Sequence, residues 1–269
     1  MPVDGPTFPK THEDSNLKNL PEAILLAGTF GLAVAAGTAC AESPENAFSG
    51  KAALYTQYEY RGISQTSEKP AVQLNLDYAH SSGLYLGTFV SNIKCLEDTA
   101  QENGFSSSAK IEWDVYGGYK FQVAKDFSVD LGYLHYEYPS SGAFTPKPNT
   151  DEVYLGASYG PATLKYSYSV NDTFGVTNSK GSDYLELTVN YPLPALPKLT
   201  VNGLVGHQKY KNSDFLSYTV WKLGATWDFG SGLNAGVYYK GTDAQRVWYT
   251  VRDKDWSKGS AVAFVSYSF

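Results

Sequence analysis

The chain has 269 residues, enough for one large domain or two small ones, and its 27 acidic against 21 basic residues give a net charge of −6. It has no basic run or patch, which excludes nucleic acid as a partner. Aromatic residues reach 15 %, with 22 tyrosines beside a single methionine, and the mean hydropathy is −0.31. A soluble enzyme with a Leu/Ile/Val/Met core does not read this way; strands with one tyrosine-rich apolar face and one polar face do.

Ala23 to Gly37 is an apolar run of the length of a secretory h-region, followed by the small residues Thr38, Ala39, Cys40 and Ala41. The pattern predicts a signal peptide over residues 1–41 with cleavage near Ala41, leaving a mature chain of residues 42–269. One feature departs from pattern: Lys10 and Lys18 are outnumbered by Asp4, Glu13, Asp14 and Glu22, so the n-region is not net positive. Lipidation of Cys40 is disfavoured, because Gly37 stands where a large aliphatic residue is required. Cleavage leaves Cys95 alone, without a disulfide partner. No CxxC occurs and His12, His80, His135 and His207 are scattered, so no metal or other cofactor is expected. Beyond the N-terminus no apolar run is long enough for a transmembrane helix, which leaves β-barrel spans open.

From Ser49 onward the sequence alternates with period two. The alternation predicts strands over 49–60, 71–79, 84–91, 110–122, 127–138, 151–159, 162–170, 183–191, 199–210, 216–229, 233–242 and 257–269. In 71–79, Val72, Leu74, Leu76 and Tyr78 oppose Gln73, Asn75 and Asp77. The connections alternate too. Long polar stretches (61–69, 92–108, 139–150, 171–181, 211–214, 243–255) are separated by tight turns such as Ser81-Ser82-Gly83, Gly160-Pro161 and Gly230-Ser231-Gly232. The segment Pro192–Pro197 reads as a further turn. A soluble β-sandwich has no reason to alternate its loop lengths. An antiparallel transmembrane β-barrel of about twelve strands does, with long loops outside, short turns in the periplasm and both termini on the periplasmic side. The final strand puts Ala261, Ala263, Val265, Tyr267 and Phe269 on one face and Ser260, Val262, Phe264, Ser266 and Ser268 on the other.

The segment Tyr58-Glu-Tyr-Arg61-Gly62-Ile-Ser64-Gln65-Thr-Ser-Glu-Lys-Pro70-Ala71-Val-Gln73, followed by Gly83-Leu-Tyr85-Leu-Gly87-Thr-Phe89-Val-Ser91-Asn92, resembles the TorF-type porins, also known as the Gcw_chp family of bacterial outer-membrane proteins. Later blocks, Glu112-x-Asp114-x-Tyr116-x-Gly118-Tyr119, Tyr136-x-Tyr138-Pro139 and Gly241-Thr242-Asp243, extend the likeness to Phe269. Thr66 stands where the family usually has Ser. The motif residues carried over are Arg61, Gly62, Ser64, Gln65, Pro70 and Gln73. The resemblance implies an outer-membrane channel of unassigned substrate and supplies no catalytic residues.

A charge facing lipid at the bilayer midplane costs about 2–4 kcal/mol for Lys or Arg. Asp77, Glu112, Asp114, Asp130, Glu152, Glu186 and Asp228, with Lys120, Lys165, Lys222 and Lys240, are therefore expected to face the lumen. Phase is ambiguous in 84–91 and 199–210, where both faces are partly apolar. Arg61 reads in two ways. It could project into the lumen mouth and set a local field, or it could pair with lumen acids while Gly62 bends the chain and Ser64 and Gln65 bind loop backbone; the second is favoured. An enzyme is not expected. His80 adjoins Ser81 and Ser82 in a periplasmic turn, His135 lies near Glu137, and no Gly-x-Ser-x-Gly elbow is present. The expected function is passive diffusion of small solutes through a narrow pore. The alternative is a structural or adhesive barrel with a filled lumen, using loop aromatics such as Val247-Trp248-Tyr249. Expected partners are outer-membrane lipid, lipopolysaccharide, small solutes and, through Phe269, the barrel-assembly machinery.

Overall fold

A computed structural model describes residues 47–269. The expected signal peptide and Cys40 lie outside the described residues. Twelve strands form a closed barrel: β1 (Ala47–Tyr55), β4 (Ala71–Ala79), β5 (Leu84–Asn92), β6 (Ile111–Ala124), β7 (Phe127–Glu137), β8 (Thr150–Tyr159), β9 (Ala162–Ser169), β10 (Asp183–Leu193), β11 (Leu196–Lys209), β12 (Tyr218–Gly230), β13 (Leu233–Thr242) and β16 (Ser260–Ser268). Four two-residue strands lie in the loops: β2 (Glu59–Tyr60) with β3 (Ile63–Ser64), and β14 (Thr250–Val251) with β15 (Lys254–Asp255). A short helix, α1 (Cys95–Glu102), occupies the second long loop.

Every barrel neighbour is antiparallel, and β1 closes the cylinder between β16 and β4, with Ala53 opposite Ser266 on one side and Gln73 on the other. Closure leaves no unpaired edge. Phe269 extends the seam, its N–H donating to the Gly50 carbonyl at 3.0 Å and its carbonyl accepting from the Gly50 N–H at 2.8 Å. At the same end of the barrel, beside Ser268, Ser231 and Gly232 both take positive φ, the type I′ geometry that matches strand twist. A Cβ on Gly232 would sit 2.1 Å from the Ser268 carbonyl, so only glycine fits this turn.

The period-two pattern has a direct structural outcome. Leu54, Val72, Leu86, Leu155, Leu223 and Val265 point outward and are exposed, as large apolar residues in a soluble chain are not. Trp113, Tyr133, Trp221 and Tyr239 band this apolar belt toward the long loops, and Phe48, Tyr159, Tyr191, Phe229 and Tyr267 band it toward the turns. The two ambiguous segments resolve cleanly: Tyr85, Gly87, Phe89 and Ser91 face inward on β5, and Leu204, Gly206 and Gln208 do so on β11.

Several boundaries differ from the sequence expectation. The first strand ends at Tyr55, not residue 60, because Thr56 caps it by accepting from the Ala263 N–H at 3.1 Å and the chain then turns into the barrel. The presumed 192–197 turn is two residues, 194–195. Pro192 and Pro197 sit within strand ends, where the register shifts between Pro192 and Leu193 and a missing donor is tolerated. The loop over 92–108 carries α1, whose Cys95, Leu96 and Ala100 are buried. The chain's apolar core lies inside the loop end of the barrel, where Tyr58, Tyr60, Ile63, Phe174, Leu216, Tyr249 and Trp256 pack together.

Candidate functional site

The site is the lumen and the loop that enters it. Residues 56–70 turn inward as a two-residue hairpin, with Glu59 opposite Ser64 and Tyr60 opposite Ile63. Its tip is Arg61-Gly62, at φ 44° and 85°, again a type I′ turn. A Cβ on Gly62 would lie 2.6 Å from both Val220 and Thr242, so the tip is pressed against β12 and β13. The neck is tied by the Gln65 N–H to the Tyr58 carbonyl at 2.8 Å and by the Tyr58 N–H to Thr66 Oγ1 at 3.0 Å.

Arg61 does not project into an open mouth. Its guanidinium is buried and bidentate on Glu152 (Nη1 to Oε1 3.0 Å, Nη2 to Oε2 2.8 Å) and donates to Gln208 Oε1 at 2.7 Å. It lies between the rings of Tyr184 and Tyr60, 4.2 and 4.6 Å from their centroids. Burial opposes its charge, but Glu152 together with Tyr60 and Tyr136 outweighs burial and holds the guanidinium well above its ordinary pKa. Two residues earlier on the same hairpin, Glu59 meets Lys222 Nζ at 2.5 Å and accepts from the Tyr238 hydroxyl at 3.2 Å. Lys240 Nζ donates to the carbonyls of Gly62 (2.7 Å) and Trp256 (3.2 Å). A tyrosine relay completes the set: the Tyr60 and Tyr136 hydroxyls are 2.9 Å apart, and Tyr136 donates to Glu152 at 3.2 Å.

The remaining motif residues hold this hairpin in place. Ser64 Oγ accepts from the Glu68 N–H at 3.0 Å, and the Ser64 N–H donates to the Trp256 carbonyl. Gln65 bonds the Ile63 carbonyl through its side chain, and its own carbonyl accepts from the N–H groups of Lys94 and Cys95, seating α1 on the loop. Asp98 on α1 accepts from Ser67 Oγ and from Arg252. The Pro70 carbonyl accepts from Asn92, and Gln73 reaches Ser91 at 3.4 Å where the chain re-enters the wall. Cys95 is fully buried, and burial pushes its thiol well above the usual range.

The other predicted charges fall into two groups. Near the loops, Glu112 accepts from the Tyr58 hydroxyl at 2.7 Å, with Asp114 buried beside it. Toward the turns the lumen is half-exposed. Asp77 accepts from Tyr116 at 2.6 Å and Asp130 from Tyr85 at 2.7 Å. Lys165 lies 4.0 Å over the Tyr154 ring, directly across from Glu186 in register, and Lys120 lies across from Asp130. Asp228 sits exposed at the turn end, tied to the Gly230 N–H. The inward tyrosines are laid across glycines on adjacent strands: a Cβ on Gly87, Gly132 or Gly206 would meet Tyr116, Tyr154 or Tyr184 at 2.3 Å. These rings narrow the lumen while their hydroxyls cap its acids.

Of the wall residues around the Arg61–Glu152 pair, Tyr184 and Gln208 were not singled out in the sequence, and Tyr136 entered only within a family block. Their signal was alternation itself, since all three share the inward phase with Glu152. His135 faces outward, 2.7 Å from Asp151 and 3.2 Å from Glu137; His80 bonds Ser82 in its turn. Among the described residues, no cluster of His, Cys, Asp and Glu could hold a metal ion.

Three comparisons bear on this geometry. The model of the family described as "Bacterial protein of unknown function (Gcw_chp)" matches residues 38–269. No curated protein matches the chain. Among solved structures, the KdgM porin aligns with TM-score 0.53 at 13% identity over 82% of this chain and 99% of its own. The NanC porin aligns with TM-score 0.52 at 11% identity over 83% and 99%. At such identities the likeness establishes the porin-like barrel fold.

Proposed function

The chain belongs to the Gcw_chp family, and on that premise we propose that it is an integral outer-membrane barrel serving as a narrow, loop-constricted channel for passive diffusion of small solutes. One observation carries the reading: the barrel strands turn apolar residues outward around the cylinder, while its charged side chains, among them Asp77, Glu112, Asp130, Lys165 and Lys222, face inward, as a water-filled conduit through hydrocarbon requires. Toward the turns, Lys51, Asp77, Lys120, Asp130, Lys165 and Glu186 remain half-exposed among the described residues. The TorF-type likeness accords with this assignment. Short turns and both chain ends then lie on the periplasmic side, lipid and lipopolysaccharide contact the belt, and Phe269 is presented to the assembly machinery.

A second reading rests on the buried hairpin. Because residues 56–70 fill the loop-side half with paired charges, the barrel could stand closed as a structural or adhesive element. Swelling of proteoliposomes carrying residues 42–269 separates the two. Entry of amino-acid- and monosaccharide-sized solutes supports the channel; impermeability to all of them, with the barrel folded by its heat-modifiable mobility, supports the closed element.

A further inference from the structure

The hairpin that closes the lumen presents two opposite charges, Glu59 and Arg61, and each is received by a ready-made subsite on the barrel wall. The cation subsite consists of Glu152 on β8, aligned for two parallel hydrogen bonds, Gln208 on β11 with its carbonyl oxygen on the same nitrogen, and Tyr184 on β10 with its ring 4.2 Å from the guanidinium carbon. A fork-shaped carboxylate contact with an aromatic face beside it is selective for a planar guanidinium over a compact ammonium. The anion subsite consists of Lys222 on β12 and the Tyr238 hydroxyl on β13, which hold Glu59 at 2.5 and 3.2 Å. All five wall side chains belong to barrel strands, so the two subsites persist when the loop moves.

We propose that this pair of subsites is a solute-binding site for small zwitterions bearing a guanidinium and a carboxylate, and that Glu59 and Arg61 occupy it as an internal stand-in for the solute. The proposal deepens the channel reading and rests on it for transport, but not for binding. A solute of this class competes with the hairpin for the same wall groups. Binding and opening of the lumen are therefore coupled, and the site is occupied either by the loop or by its cargo.

Binding is measured on the folded barrel in detergent by calorimetry, with L-arginine as probe and L-citrulline, which keeps the shape without the charge, as control. In the wild type the hairpin competes and binding is weak. Arg61→Ala vacates the cation subsite, and arginine affinity is expected to rise at least tenfold, with citrulline unchanged. Adding Glu152→Gln to Arg61→Ala removes the gain. Because Arg61→Ala can disorder the loop, the wild type carries a second test: arginine, and not citrulline, should accelerate trypsin cleavage after Arg61. Equal responses to arginine and citrulline, or arginine binding that survives Glu152→Gln, overturn the proposal. A barrel that binds arginine and admits no solute into liposomes retains the site and loses the channel. One that conducts without binding arginine does the reverse.

Discussion

Replacing Glu152 with Gln tests how the lumen is held shut. Arg61 and Glu152 are both nearly inaccessible, and the substitution leaves a buried guanidinium facing a neutral amide. Removing one partner of a buried ion pair costs about 3–5 kcal/mol. At about 1.4 kcal/mol per decade, that raises the population of hairpin-out molecules by roughly 10²- to 10³-fold or more. The loss falls on the loop and not on the barrel, because the hydrogen-bonded ladder of β8 is untouched. Trypsin reads it out: residues 56–70 contain two basic residues, Arg61 and Lys69, and Lys69 precedes Pro70, which blocks cleavage there. When opening is fast relative to cleavage, the rate tracks the open population. Cleavage after Arg61 is therefore expected to quicken by at least about a hundredfold in Glu152→Gln, with the barrel's heat-modifiable mobility retained. A rate within threefold of wild type would show that Glu152 does not hold the hairpin.

Other consequences are equally accessible. Gly132→Ala places a Cβ 2.3 Å from the Tyr154 ring and should destabilise the refolded barrel by about 1–3 kcal/mol in urea titration. Gly142→Ala, which meets nothing within 4 Å, should be neutral. Leu155→Arg on the outward face should cost about 2–4 kcal/mol of folding into bilayers, and Ser158→Arg on the inward face of the same strand much less; equal costs would contradict the assigned phase. Cys95 is inaccessible, with its thiol held protonated, so maleimide labelling of the folded protein should be negligible in wild type and rise in Glu152→Gln as α1 lifts with the loop.

Much of the barrel was legible because its physics is one-dimensional. Alternation with period two separates lipid-facing from lumen-facing residues strand by strand, and Val72, Leu74 and Leu76 lie outward as their spacing required. The count of twelve followed from the period-two segments, and the alternation of loop lengths pointed to a barrel. Where both faces are apolar, as at Leu84–Asn92, periodicity carries no phase; the inward Phe89 is paired with Tyr58 from the entering loop, 5.8 Å between ring centroids. Arg61-Gly62 was recognisable as the densest polar motif, and its pairing with a lumen acid was the favoured reading. Its destination was not readable, because an inward-folding hairpin and an outward loop share one composition. Partners 91 and 147 residues away, Glu152 and Gln208, are set by closure of the barrel and by no local pattern. The proline pair at 192 and 197 misled for a simpler reason: strand ends beside a turn can spare a donor.

The most direct test of the account is single-channel conductance in planar bilayers under a salt gradient, comparing residues 42–269 with the same chain carrying Glu152→Gln. A lumen closed by the hairpin predicts small or infrequent steps for the wild type, and larger, longer openings with a shifted reversal potential for the variant. Identical steps in both, or silence in both from demonstrably folded protein, would contradict it.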